Sequence, residues 1–93
     1  MQKLTIIDNP SESRFETQIG DYLAEINYHL DGQRLDLYRT FVPKELGGRG
    51  IAGELTQFAL KTARQKGLTV IPGCSYIASY IQKHSEFHDL VSN

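Results

Sequence analysis

A single cysteine, Cys74, stands in this chain of 93 residues, so an internal disulfide is impossible and a four-cysteine zinc site is excluded. Whatever Cys74 does, it does alone or between chains. Charge of one sign is equally scarce: ten basic against eleven acidic residues leave a formal charge of -1. The cations Lys3, Arg14, Arg34, Arg39, Lys44, Arg49, Lys61, Arg64, Lys66 and Lys83 are spread along the chain, unlike the concentrated footprint of a nucleic-acid binder. Long apolar runs are lacking too. Met1 to Asp8 holds only a short one before Asn9-Pro10, too brief for a membrane span or a signal peptide, so a cytoplasmic protein with no membrane partner is expected. There is no repeat and no low-complexity tract.

What remains is the composition of an ordinary globular protein, 40% hydrophobic and 23% charged. A chain this short buries only about two-thirds of its unfolded surface, so residues 1–93 are expected to form one domain around one core.

Met1 to Asp8 reads as a short edge strand that ends at Asn9-Pro10-Ser11, because proline cannot continue a ladder. From Arg14 the pattern alternates, with Phe15, Thr17 and Ile19 on one face, and it breaks at Gly20-Asp21. It resumes as Tyr22, Ala24, Ile26, Tyr28 and Leu30 and breaks again at Asp31-Gly32. Both two-residue breaks supply residues tolerant of positive φ, which is the short-range signature of a hairpin. Arg14 to Val42 is therefore expected to be a three-stranded antiparallel meander.

After a glycine-dense turn the period changes from two to about 3.6. Ile51, Leu55, Phe58, Ala59 and Ala63 share a face, with Glu54, Gln57, Lys61 and Arg64 opposite, which predicts a helix over Gly50 to Gln65 closed by Gly67. Leu68 to Ile71 reads as a short buried strand stopped by Pro72-Gly73, and Ser75 to Lys83 has helical spacing. The predicted fold class is α/β (α+β): an antiparallel meander, then β-α-β-α with the last strand parallel to its predecessor.

The stretch Val42-Pro43-Lys44-Glu45-Leu46-Gly47-Gly48-Arg49-Gly50-Ile51-Ala52-Gly53 empties a strand into glycines and then into a helix start. Such a turn points several unpaired N–H groups at one spot where the helix dipole favours an anion, and phosphate is the natural guest. Gly48 and Gly50 remove side chains that would hold a pyrophosphate away, and Arg49 adds a cation. The same glycines also serve a plain flexible turn. Gly48 to Gly53 satisfies the dinucleotide pattern G-x-G-x-x-G, yet no acidic residue ends the next strand, Val70-Ile71-Pro72-Gly73, where that fold requires one. No Gly-Lys-Ser or Gly-Lys-Thr follows either, which excludes a P-loop.

Val42-Pro43, the Gly48-Arg49-Gly50-Ile51-Ala52 turn and its helix resemble the coenzyme A-binding motif of GCN5-related N-acetyltransferases. Ile71-Pro72-Gly73-Cys74-Ser75-Tyr76, with Tyr80 and Lys83-His84 beyond, resembles a subgroup of small members carrying one cysteine near the acetyl group. The resemblance runs from about Phe15 to Val91. It implies acetyl-coenzyme A as co-substrate and an amine as acceptor. The backbone from Leu46 through Gly47, Gly48, Arg49, Gly50 and Ile51 to Ala52 would take the pyrophosphate, the edge of the Tyr38 to Val42 strand, Phe41 included, would pair with the pantetheine arm, and the thioester would end near Cys74.

Three departures accompany it. Gly47 stands where many members carry arginine or glutamine, Arg39 precedes Thr40 where small relatives often have histidine, and Ser85 replaces a common proline.

Cys74 sits at a helix N-terminus, which favours the thiolate, and Arg39 projecting toward it across the sheet would push the same way. Such a thiolate can take the acetyl group and pass it to an amine. The rival route is direct attack by the amine, with Cys74 only lining the pocket, and free cysteine is often simply buried. Tyr76 and Tyr80, four apart on one face, either line the pocket and protonate the leaving thiolate or are core aromatics. His29, His84 and His88 have no metal-ligand spacing with Cys74 and are expected to be solvated, so no metal is expected.

The expected function is therefore acetyl transfer to an unidentified amine, with a non-catalytic acyl-coenzyme A-binding module and a plain interaction domain as alternatives. So little chain lies outside the cofactor fold that the acceptor is expected on a macromolecule, or a partner completes the site.

Overall fold

The computed structural model describes residues 4–91. Its strands are β1 (Ile7–Asn9), β2 (Arg14–Ile19), β3 (Tyr22–Asp31), β4 (Arg34–Phe41) and β5 (Thr69–Ile71), and its helices are α1 (Ile51–Lys66) and α2 (Ser75–Lys83). The strands form one sheet in the order β1-β2-β3-β4-β5. The first four are antiparallel neighbours, and α1 is the crossover that brings β5 in parallel to β4.

The predicted meander and crossover are thus present, with local shifts. β1 is shorter and later than the predicted Met1 to Asp8, whose first three residues lie outside the described ones. The Thr5 carbonyl accepts a bond from the Thr17 hydroxyl at 2.8 Å instead of joining a ladder. The second hairpin turns on Gly32-Gln33, one residue later than Asp31-Gly32, since Asp31 pairs with Arg34. In both hairpins glycine holds the first loop position at positive φ (60° at Gly20, 61° at Gly32), so the loop starts where the glycine is. Two 3-10 segments, Lys44–Leu46 after β4 and Ser85–Leu90 after α2, add to the predicted elements.

One sheet face is apolar: Phe15, Ala24, Ile26, Tyr28, Leu35 and Leu37 are buried there with Thr17. α1 covers it with Ile51, Leu55, Ala59 and Ala63, as its periodicity predicts, and also with Thr56 and Leu60, while Phe58 is half-buried. The Thr56 hydroxyl satisfies itself on the Ala52 carbonyl at 2.8 Å, which lets a polar residue face the core. α2 adds Ile77 and Ile81 to the same cluster. The other sheet face is polar, and there Arg14 pairs with Glu16 and Glu25.

A bulge sets the geometry of the site. Tyr28 pairs with Leu37 but Asn27 pairs with Arg39, so Tyr38 is the extra residue on β4. Up to Leu37 the odd-numbered residues face the core; beyond the bulge Thr40, opposite buried Ile26, faces inward instead.

Candidate active site

β4 and β5 pair only from Arg34–Thr69 to Asp36–Ile71. Pro72 then leaves the ladder, having no N–H to give, and beyond the bulge no strand among the described residues pairs with this edge of β4. Gly73 lies flat on β4 at this point. A Cβ there would collide with Asp36 Oδ1, a buried oxygen without a hydrogen-bond partner among the described residues, and would stand 3.3 Å from Tyr38 Cα. Gly73→Ala is therefore expected to lower stability by about 1–3 kcal/mol, the range of an overpacked site. In urea unfolding the double variant with Asp36→Ala should recover part of that loss, and an unchanged Gly73→Ala midpoint would count against this packing.

The next residue, Cys74, is the N-cap of α2, its thiol donating to Thr40 Oγ1 at 3.6 Å. Burial pushes the thiol pKa up, but the Thr40 hydroxyl and the amides of Ile77, Tyr76 and Thr40 together outweigh it and hold the pKa below that of an ordinary thiol. The neutral thiol makes no capping hydrogen bond to α2, so those amides favour the anion over the acid. On deprotonation the Thr40 bond reverses, with the hydroxyl donating to sulfur. The thiolate fraction rises with pH, and removing a group that lowers the pKa moves that rise upward. Thr40→Val, close in shape, should shift the midpoint of the pH-dependent alkylation of Cys74 by iodoacetamide to higher pH. An unmoved midpoint would show that Thr40 has no part in it.

Arg39 does not project toward Cys74, as its expected role requires. The bulge turns it onto the polar face, where it donates to Asn27 Oδ1 at 2.7 Å, lies 3.7 Å from Glu25 and covers the Phe41 ring at 5.1 Å. Phe41 is on that face too and 43% exposed, so only its backbone belongs to the β4 edge.

The glycine loop forms a pocket of about 240 Å³ whose lining includes Val42, Gly48, Gly50, Ile51, Ala52 and Tyr76. Leu46 and Gly47 line this pocket too, but the 3-10 turn uses their amides on Pro43 O (2.9 Å) and Lys44 O (3.0 Å), so these two do not offer free N–H groups. The amides of Gly48, Arg49, Gly50, Ile51, Ala52 and Gly53 have no acceptor among the described residues; the α1 ladder opens with Glu54 N on Gly50 O at 3.1 Å. Gly48 and Gly50 hold φ of 79° and 73°, and a Cβ at either would point into open space. The result is a concave, uncapped helix start able to receive a diphosphate.

Tyr76 and Tyr80 meet the first turn of α1, where a Cβ at Gly53 would touch the Tyr76 hydroxyl at 3.7 Å and Tyr80 Cε2 at 3.8 Å. Burial raises both phenol pKa values, with Tyr76 and Glu86 adding to the rise at Tyr80, so both stay protonated at neutral pH. His84 is not the solvated residue expected: it is half-buried, stacked on Tyr80 with centroids 3.9 Å apart, and its Nδ1 lies 2.7 Å from the Tyr80 carbonyl. His29 and His88 are exposed, as expected. Among the described residues no three His, Cys, Asp or Glu side chains gather as metal ligands, and no helix is long and apolar enough to cross a membrane.

Residues 14–90 match the GCN5-related N-acetyltransferase family. The chain belongs to that family. GCN5-related N-acetyltransferases in general take acetyl-coenzyme A as co-substrate and an amine as acceptor, and this member is accordingly an acyltransferase. Its fold is similar to the NMR structure of a GCN5-like candidate N-acetyltransferase from Staphylococcus aureus. The TM-score is 0.77 and the identity 28%, over 100% of this chain and 92% of the other. The open amides lie at the start of α1, the helix that follows β4, and Cys74 follows β5 at the N-cap of α2.

Proposed function

We propose that residues 1–93 act as one acetyl-coenzyme A-dependent N-acetyltransferase unit, and that Cys74 carries the acetyl group on its way to an amine. The observation behind this reading is the position of Cys74: its sulfur faces Thr40 on β4 and the first amides of α2, two residues before Tyr76, which lines the pocket of the unpaired amides of Gly48 to Gly53. Those amides and Arg49 would hold the diphosphate, and the free edge of β4 would align the pantetheine arm with the sulfur.

The Cys74 thiolate then bonds to the thioester carbonyl carbon as the bond to the coenzyme A sulfur breaks, and the Tyr80 hydroxyl gives its proton to the departing thiolate. The acceptor amine attacks the acetyl-cysteine, its proton goes to the Tyr80 oxygen, and the Cys74 thiolate is restored. Arg39 is outside this chemistry. The acceptor is read as an amine on a macromolecule, or one whose site a partner completes, and the site of action as the cytoplasm.

The test is intact-protein mass and melting temperature with and without acetyl-coenzyme A. One added acetyl group is expected, together with stabilisation growing as the logarithm of ligand concentration. Stabilisation without added mass would sink the acetyl-cysteine and leave direct transfer or a non-catalytic binding module, which turnover with an amine separates; neither effect would sink all three readings.

A further inference from the structure

Packing explains every acid of this chain but one. Asp8, Glu12, Glu16, Glu25 and Asp89 each lie within 4.0 Å of a cation. Of the carboxylates without such a neighbour among the described residues, Asp21, Asp31, Glu45, Glu54 and Glu86 are exposed, and Asp36 alone is not. Its Oδ1 is buried with no hydrogen-bond partner among the described residues. A carboxylate taken out of water and left unpaired works against the fold, so its retention calls for a function. We infer that Asp36 is a specificity-determining residue for the acceptor: it anchors a second positive charge on the molecule whose amine is acetylated, and that acceptor is a dication. The inference rests on the reading of Cys74 as the acetyl site and names the acceptor class for it.

Place carries the argument. Asp36 is the last residue of β4 that pairs with β5, opposite Ile71, and no pairing among the described residues closes the sheet between it and Cys74. The chain returns over the carboxylate as Gly73, where a Cβ would collide with Oδ1, so the absence of a side chain there is what brings the acid against the turn that carries the thiol. Gly73 directly precedes Cys74, which puts the carboxylate and the sulfur at most about 10 Å apart. No cation of the chain takes the place of a ligand. Arg34, two residues earlier on the same face, and His29, the partner of Asp36 across the sheet on β3, are both exposed and make no ion pair among the described residues. An acceptor that fits has two nitrogens within about 10 Å of each other, one free to attack the acetyl carbon and one held as ammonium on Asp36. A short α,ω-diamine has that reach, and so do two lysines two positions apart in an extended peptide, whose side chains leave the same face. A charge-assisted bond to a carboxylate that has no other partner is the kind that discriminates between a dication and a monocation.

The experiment is kcat/KM for transfer from acetyl-coenzyme A to two matched pairs of acceptors, 1,5-diaminopentane against 1-aminopentane and the blocked peptide Lys-Gly-Lys against Lys-Gly-Gln, with the wild-type chain and with Asp36→Asn. The wild type should favour the dicationic member of at least one pair by about tenfold, chiefly through KM, which exceeds the factor of about two that a second equivalent amine gives by itself. Preference within the diamine pair marks a small-molecule acceptor, and preference within the peptide pair marks a basic segment of a macromolecule. Asp36→Asn keeps the size and removes the charge, so it should bring the dicationic acceptor down to its monocationic match. It should also melt no lower than the wild type, because the carboxylate it replaces has no partner in the free protein. A wild type indifferent to the second charge, a preference that survives in Asp36→Asn, an equal fall for both members of a pair or a lowered melting temperature overturns the anchor and leaves the transferase reading standing. Absence of transfer to every amine, with no acetyl group on Cys74, sinks the transferase reading, and the anchor falls with it.

Discussion

Replacing Gly50 with valine is expected to abolish coenzyme A binding, by at least about a hundredfold, while the chain still folds. Gly50 ends the loop at φ 73°, the left-handed region, and its carbonyl accepts the first bond of α1. A side chain there costs about 1–2 kcal/mol of backbone strain. Within the protein that is most of the cost, since a Cβ at Gly50 finds no atom within 4 Å. Gly50 lines the pocket of the open amides, so the isopropyl group is expected to obstruct the ligand there. Losing two charge-assisted bonds from those amides, each about 1.5–3 kcal/mol, already exceeds a hundredfold. Gly20→Val is the control: φ is 60°, the space around it is also open, and it lies in a hairpin away from the loop. Both variants should melt at similar, lowered temperatures, and only Gly50→Val should fail to bind. Equal binding by the two would mean that the amides at the start of α1 are not the diphosphate site.

The elements legible in the sequence are those with local causes. The hairpins announce themselves by Gly20 and Gly32, which tolerate the φ their turns need, and the α1 stripe from Ile51 to Ala63 has the period of the helix it forms. The open loop was legible for the same reason, because glycines before an apolar-periodic run leave amides without caps. What escaped depends on partners far along the chain. Nothing in Leu37-Tyr38-Arg39-Thr40 signals a bulge, yet that one extra residue decides that Thr40 and not Arg39 faces Cys74. Simple alternation would have kept Arg39 on the face of Leu35 and Leu37. Leu46 and Gly47 looked available because a 3-10 turn of three residues, Lys44–Leu46, leaves little pattern to read. His84 looked solvated because its stacking on Tyr80 follows from the end of α2, whose last carbonyls and ring neighbours exist only once the helix is formed.

Cys74 is the position where binding and chemistry separate, and its substitution has the second large expected effect. Cys74→Ala removes the sulfur and no capping bond of α2, so stability should change little, by less than about 1 kcal/mol. Cys74→Ser keeps a polar atom of favourable capping type and guards against a packing effect, while its hydroxyl stays un-ionised where the thiol is partly thiolate. Neither substitution touches the loop amides, so acetyl-coenzyme A affinity should stay within about threefold of the wild type. The acetyl adduct seen by intact mass should vanish in both variants. Transfer to an accepted amine should fall by at least about a hundredfold, the scale on which removal of a covalent nucleophile is felt. The alternative route makes the opposite forecast for the same measurement. If the amine attacks the bound thioester directly, Cys74→Ala binds and turns over nearly as the wild type does, and any acetyl on the wild-type sulfur is a side product. The Thr40→Val variant then divides the two again: a covalent route should carry its shifted thiolate midpoint into the pH profile of turnover, whereas a direct route leaves that profile where it was, because no thiolate takes part.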